Sequence, residues 1–295
     1  MILAAIDIGS NAARLLLTEV VTDSAGVVQF NKVNLVRIPL RLGFDVFDTG
    51  EISEHKTYML VQTMKAYAHL LKVYDVKHLK ACATSAMRDA KNSKDIIHKV
   101  KEETGINIDI LTGDKEASMI NQNHIAEKLD RLHSYLYIDV GGGSTELTFF
   151  DDGKMKYRES FNIGTIRLLK KQVKESEWDT MRDHLKQNTK SALPITAIGS
   201  GGNINKIFSL SKRKEGKPLS LQLLRDFQKE LGCQSIEELI RNYKLKEDRA
   251  DVIVPALLIY INVMRWADIQ EIFVPKIGLA DGLIQSLYEE LTSKS

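Results

Sequence analysis

Residues 6–17 read I-D-I-G-S-N-A-A-R-L-L-L, and residues 138–149 read I-D-V-G-G-G-S-T-E-L-T-F. Each begins as an apolar strand ending in aspartate, passes a turn of small residues and continues into a second apolar strand. Asp7 precedes Arg14 by the same interval as Asp139 precedes Glu146. The two copies lie 132 positions apart, far beyond the period of a solenoid. A repeat at this distance predicts two similar α/β domains, each offering one glycine-rich hairpin.

Working outward, strands are expected at 2–8, 14–21, 27–37, 78–82 and 106–111. Ser53 to Tyr74 reads as a helix, because Leu60, Met64, Tyr67, Leu71 and Tyr74 recur at spacings of three and four. Thr84–Asn92 and Asp95–Glu103 look helical, with Gly105 as the stop, and a helix follows over 114–129. The second half repeats the plan. Strands fall near 135–140, 145–150, 154–161 and 195–198, and the rest is mostly helical. Strands followed by helices in this order build a mixed sheet covered on its faces. The predicted domains are 1–122 and 123–279, with a terminal helix over 280–295 packing back on the first.

The chain of 295 residues is 43% hydrophobic and 27% charged, a composition that excludes wholesale disorder. Its 41 basic and 39 acidic residues leave a net charge of +2, which argues against nucleic acid as a partner. The longest apolar stretch, Val252 to Met264, falls short of the ~20 residues of a membrane helix. The start, M-I-L-A-A-I-D, lacks the basic region of a signal peptide. Cys82 and Cys233 suggest neither a disulfide framework nor a zinc site. A cytoplasmic protein without a membrane partner is expected.

The turns carry chemistry. Glycine permits positive φ and lets a ligand approach without a Cβ in the way. Successive backbone N–H groups in such a loop can converge on an anion. Gly9, Ser10 and Asn11 form one candidate phosphate loop, and Gly141, Gly142, Gly143 and Ser144 the other. One such loop alone is as readily an ordinary hairpin turn; two matched copies favour an anion site. Asp7 and Asp139, preceding the turns, could hold Mg²⁺, a hard cation that prefers oxygen. Gly199, Ser200, Gly201 and Gly202 form a third loop between a strand and a helix. That junction suits an anion or nucleotide, although a plain tight turn explains it nearly as well.

These residues belong to an ordered series: D-I-G-S-N-A-A-R-L (7–15), A-T-S-A-M-R-D-A-K-N (83–92), G-D-K-E-A (113–117), D-V-G-G-G-S-T-E-L (139–147), F-N-I-G-T-I-R-L (161–168), G-S-G-G-N (199–203), R-A-D-V-I-V-P (249–255) and G-L-A-D-G (278–282). In this series the chain resembles the exopolyphosphatase and guanosine pentaphosphate phosphohydrolase family, within the actin, Hsp70 and sugar-kinase superfamily. The resemblance implies two ribonuclease-H-like domains with a cleft between them. It implies Glu116 as the catalytic base and Arg88 and Asn92 as groups reaching the phosphate. It places Asp139 and Glu146 near a divalent cation, most plausibly Mg²⁺. It further implies a homodimer acting on inorganic polyphosphate, or on guanosine penta- or tetraphosphate.

Three departures from the family pattern stand out. Lys115 replaces the first of two glutamates, Ala280 and Asp281 replace an Arg-Glu pair, and Ala256 follows Pro255 where glycine is common. Elementary chemistry agrees with the resemblance. Phosphoanhydride hydrolysis needs an in-line water, charge neutralisation and a positioning group, and the planar fork of Arg88 matches phosphate. Read structurally, Arg88 would be a solvated helix arginine and Glu116 a first-turn dipole partner. The expected activity is removal of terminal phosphate from polyphosphate, short chains favoured, with pppGpp to ppGpp as a further activity. A non-catalytic alarmone or polyphosphate sensor and a superfamily small-molecule kinase remain as alternatives.

Overall fold

The computed structural model describes residues 1–121 and 132–293. The chain divides into two compact units, Met1–Asn123 with Leu279–Ser295, and His124–Gly278.

The first unit holds β1 (Ile2–Ile8), β2 (Ala12–Thr22), β3 (Val28–Pro39), α1 (Leu42–Thr49), α2 (Glu54–Val73), β4 (His78–Ala83), α3 (Ser85–Asp89), α4 (Ser93–Thr104), β5 (Asp109–Ile110) and α5 (Gly113–Asn121). Its sheet runs β3-β2-β1-β4-β5. The β1–β2–β3 meander is antiparallel, and β4 and β5 are added in parallel. Ser53 caps α2 by accepting from Lys56 N–H, which satisfies one of the orphan donors at the helix start. The apolar stripe of α2 buries Leu60, Met64 and Tyr67, and the Tyr67 hydroxyl lies 3.1 Å from the carbonyls of Ala13 and Val36. The chain's last helix, α13 (Leu279–Thr292), supplies Leu279, Leu283, Ile284 and Leu287 to a core shared with Leu3, Leu16, Val20 and Leu111.

The second unit contains β6 (Ser134–Val140), β7 (Thr145–Asp151), β8 (Lys154–Phe161), α6 (Thr165–Leu169), α7 (Glu175–Asn188), β9 (Ile195–Ser200), α8 (Gly202–Leu210), β10 (Leu219–Ser220), α9 (Leu221–Gly232), α10 (Ile236–Tyr243), α11 (Glu247–Ala250), α12 (Ile253–Trp266) and β11 (Glu271–Phe273). The sheet order β10-β11-β9-β6-β7-β8 contains the arrangement of the first unit, with β10 added at the edge. The registers coincide: Asp7 faces Arg14 and Ile8 faces Ala13, as Asp139 faces Glu146 and Val140 faces Thr145. The apolar helix α12, with Ile253, Leu257, Tyr260 and Met264 buried, is central to the core.

Some elements differ from the sequence expectation. The strand expected over 106–111 pairs only at Asp109 and Ile110; the apolar run reflects burial of Ile106, Ile108 and Leu111. The helix expected over 114–129 is described to Asn121, and its remainder lies outside the described residues. β11 has no counterpart in the expectations, because three residues are too few to show a period of two.

Candidate active site

The first loop spans the turn from β1 to β2. Gly9 N–H donates to Ala12 O at 3.0 Å and closes it. The Ser10 carbonyl accepts from Gly43 N–H, and the Asn11 carbonyl from Arg41 N–H. A trans peptide points its C=O and the following N–H in opposite directions. Tying back the Ser10 carbonyl therefore turns the Asn11 N–H away from the support. The support is itself held: Lys56 Nζ donates to Leu40 O at 2.7 Å, and Arg41 sits at φ 55°. Few residues other than glycine adopt that conformation, so packing enforces it. The Ser10 and Ser85 hydroxyls lie 2.7 Å apart, both buried.

The second loop repeats the device more fully. Gly141 N–H donates to Ser144 O at 2.9 Å. Thr165 N–H takes the Gly141 carbonyl, Ile166 N–H the Gly142 carbonyl, and Arg167 Nε the Gly143 carbonyl at 2.7 Å. The N–H groups of Gly142, Gly143 and Ser144 consequently face away from the support as a run of three donors. Gly164 is what lets the support approach. A Cβ there would meet the Gly142 carbonyl oxygen and the Gly143 carbonyl carbon, both at 2.4 Å. None of Gly9, Gly141, Gly142 and Gly143 has positive φ. The positive φ expected of such a turn occurs at Gly201 instead.

Asp139 and Glu146 face each other across β6 and β7. Like charges directly opposite on a sheet repel, and Glu146 is buried. Ser200 Oγ donates to Asp139 Oδ1 at 2.7 Å and Ser160 Oγ to Glu146 Oε1 at 2.9 Å, fixing both carboxylates. Two oriented carboxylates at one sheet end match the all-oxygen preference of Mg²⁺. At the equivalent place in the first unit, Arg14 Nη1 lies 2.7 Å from Asp7 Oδ2. Asp7, expected as a metal ligand, is here ion-paired with its own cross-strand partner.

The third loop leaves β9 through Gly201, at φ 103°, where a Cβ would stand 3.1 Å from Asp139 Oδ1. At Gly202 a Cβ would lie 2.6 Å from the Arg249 guanidinium, and Arg249 Nη1 donates to Asn203 Oδ1 at 2.7 Å. The fully buried Tyr260 hydroxyl donates to Ser200 O. Burial, and then the charge of Asp139, push its ionisation well above the ordinary tyrosine range. Gly199, expected in the ligand loop, pairs within β9, and a Cβ there would strike Ile272 at 2.7 Å.

In the first unit, α3 and α5 bring Arg88 and Glu116 together. Arg88 Nη1 donates to the Leu111 carbonyl at 2.7 Å and lies 3.7 Å from Glu116 Oε2. Glu116 is buried and Arg88 partly exposed, so the fork is aimed by Leu111 and Glu116 before any ligand arrives. Asn92, expected to reach the phosphate, holds Ile52: its Oδ1 accepts from Ile52 N–H at 3.1 Å and its Nδ2 donates to Ile52 O at 2.8 Å. Sequence reasoning left Gly164, Arg167 and Arg249 without roles. Each stands in a motif quoted above, but their service to the loops depends on contacts distant in sequence.

A family model described as the Ppx/GppA phosphatase family matches residues 20–291. The bifunctional 3-dehydroquinate synthase/phosphatase of Fusobacterium nucleatum is 31% identical over 229 residues, covering 72% of this chain and 34% of that protein. Exopolyphosphatase 1 of Mycobacterium tuberculosis is 30% identical over 173 residues, covering 57% and 48%. The chain thus spans less than half the length of these curated relatives. A Ppx/GppA family structure from Aquifex aeolicus is 25% identical with a TM-score of 0.78, covering 100% of this chain and 99% of its own. The crystal structure of an exopolyphosphatase from Cytophaga hutchinsonii, 23% identical with a TM-score of 0.82 over 99% of this chain and 98% of its own, shares the fold.

Proposed function

Because this chain belongs to the Ppx/GppA phosphatase family, we propose that it hydrolyses the terminal phosphoanhydride bond of inorganic polyphosphate, with short chains favoured. The observation that carries the reading is the second loop, whose carbonyls are tied back beside the Asp139–Glu146 pair. In this reading the N–H groups of Gly142, Gly143 and Ser144 receive phosphate oxygens, and within the first unit the first loop and Arg88 are phosphate donors. Glu116 orients a water and takes its proton as the water oxygen bonds to the terminal phosphorus. The bridging P–O bond breaks, releasing orthophosphate and a chain shorter by one unit. Asp139 and Glu146 would hold a divalent cation, which when bound neutralises phosphate charge. The terminal phosphate of pppGpp presents the same bond and is a second substrate in this reading.

Phosphate release from tripolyphosphate, longer polyphosphates, pppGpp and ATP, with and without Mg²⁺, tests the proposal. Mg²⁺-dependent release from polyphosphate without an acceptor is expected. Turnover only with an acceptor would make the chain a kinase, and binding without turnover would make it a sensor.

A further inference from the structure

The first unit contains an open pocket of about 440 Å³ that Glu116 and the phosphate loops do not line. It lies where the edge strand β5 meets α5 and α13, and its volume is within the range of small-molecule sites. Its charged lining consists of Lys80 and Lys115 against Asp109 and Glu290. Lys80 is already engaged, donating to Ser286 Oγ at 2.9 Å and to Glu290. Lys115 and Asp109 are exposed, Ser118 is half-buried, and their side chains make no hydrogen bond or ion pair among the described residues. Leu111 and Met119 add apolar wall.

A balanced wall with one uncommitted cation and one uncommitted anion disfavours a polyanion and complements a dipolar ligand. We propose that this cavity binds a small zwitterion of the α-amino acid class. Asp109 receives the ligand's ammonium, Lys115 and Ser118 receive its carboxylate, and Leu111 and Met119 pack against its side chain. Lys115 stands where the family pattern has glutamate, so the cation departs from that pattern.

The cavity is coupled to the groups that the functional proposal uses. Leu111, in its wall, offers the carbonyl that aims Arg88. Lys115 immediately precedes Glu116 on α5. A ligand that clamps the β5–α5 turn therefore steadies both residues, and is expected to raise kcat at unchanged KM. This kinetic consequence rests on the proposed function; the binding does not.

The test is thermal-shift and calorimetric titration of the full chain with each of the twenty α-amino acids, tripolyphosphate serving as a comparison. At least one amino acid should bind at millimolar or lower concentration. Asp109→Asn and Lys115→Gln should each weaken that binding about tenfold, the loss of one charge-assisted contact. Met119→Trp, which fills the cavity, should abolish it. Asp109→Asn should leave phosphate release without amino acid unchanged, and it carries the test if the tryptophan variant does not fold. Absence of binding by all twenty, or binding indifferent to Asp109→Asn, would overturn the proposal whether or not the protein hydrolyses polyphosphate. So would tripolyphosphate binding that requires Lys115 while no amino acid binds.

Discussion

Glu116 and Arg88 stand 3.7 Å apart at closest approach, and each can be altered without changing its size greatly. Glu116→Gln keeps the shape and removes the proton acceptor. A general base contributes about 10²–10⁴-fold, so kcat should fall by that order while polyphosphate binding persists in equilibrium dialysis. Turnover equal to wild type would remove Glu116 from the role. Arg88→Lys replaces a fork by a point charge, which cannot hold the Leu111 carbonyl and a phosphate oxygen together. Most activity should be lost, whereas a variant with normal kcat would make Arg88 a structural residue.

The two thiols should also behave differently. Cys82 is buried, and burial, followed by the charge of Asp109, pushes its thiol up to about 12, whereas Cys233 is exposed. At pH 8 a disulfide reagent should label Cys233 promptly and Cys82 only on unfolding. The sign for stability follows. A raised native value favours the protonated fold, so stability should decline as pH rises from the ordinary thiol value of 9.0 toward about 12. Cys82→Ala should lessen that decline in denaturant melts.

At the scale of elements, the support under each loop matters as much as the loop. Gly164→Ala would drive a Cβ into the backbone of Gly142 and Gly143, which cannot swing aside as a side chain can. The expected result is a displaced second loop. Phosphate release should fall at least tenfold, with far-UV circular dichroism unchanged; wild-type kinetics would show that the support is not needed. The helix α13 makes a different contribution. Its departure residue Asp281 pairs with Lys32 at 2.6 Å, while Ala280 is buried in the core, so the lost Arg-Glu pair of the family pattern gives way to another contact. Leu283 is completely buried there. Leu283→Ala should cost about 2–5 kcal/mol in urea unfolding, and a cost below 1 kcal/mol would mean that α13 is peripheral.

At the scale of the molecule, charge limits how a polyanion is held. With 41 basic and 39 acidic residues, no large positive field surrounds the protein. Of the basic residues in the segment leading to Arg88, Lys77 pairs with Asp75 and Lys80 with Glu290. Few remain to hold phosphates beyond the scissile one, so short chains should be favoured and products released after one or a few cuts. Moderate salt should raise KM more than it lowers kcat, because remote contacts are screened first. Gels of partial digests should show even ladders; long chains consumed to completion beside untouched ones would contradict this.

What the sequence by itself determined is local and repeated. The two hairpins, their shared register and the family motifs follow from apolar runs, glycines and spacing, which are properties of neighbouring residues. The stripe of α2 was equally legible. Only the tertiary structure decided which of the marked residues are available. Asp7 and Asp139 look alike along the chain, but one faces arginine and the other glutamate, and only the cross-strand register makes that difference chemical. Asn92 matches a phosphate motif, and its amide also holds Ile52, forty residues earlier in the chain. Gly199 sits in a glycine-rich run but is packed beneath Ile272 of a strand too short to announce itself. A hydrogen bond or a steric contact between distant segments leaves no period in the sequence, so the partner, and with it the role, appears only when the chain has folded.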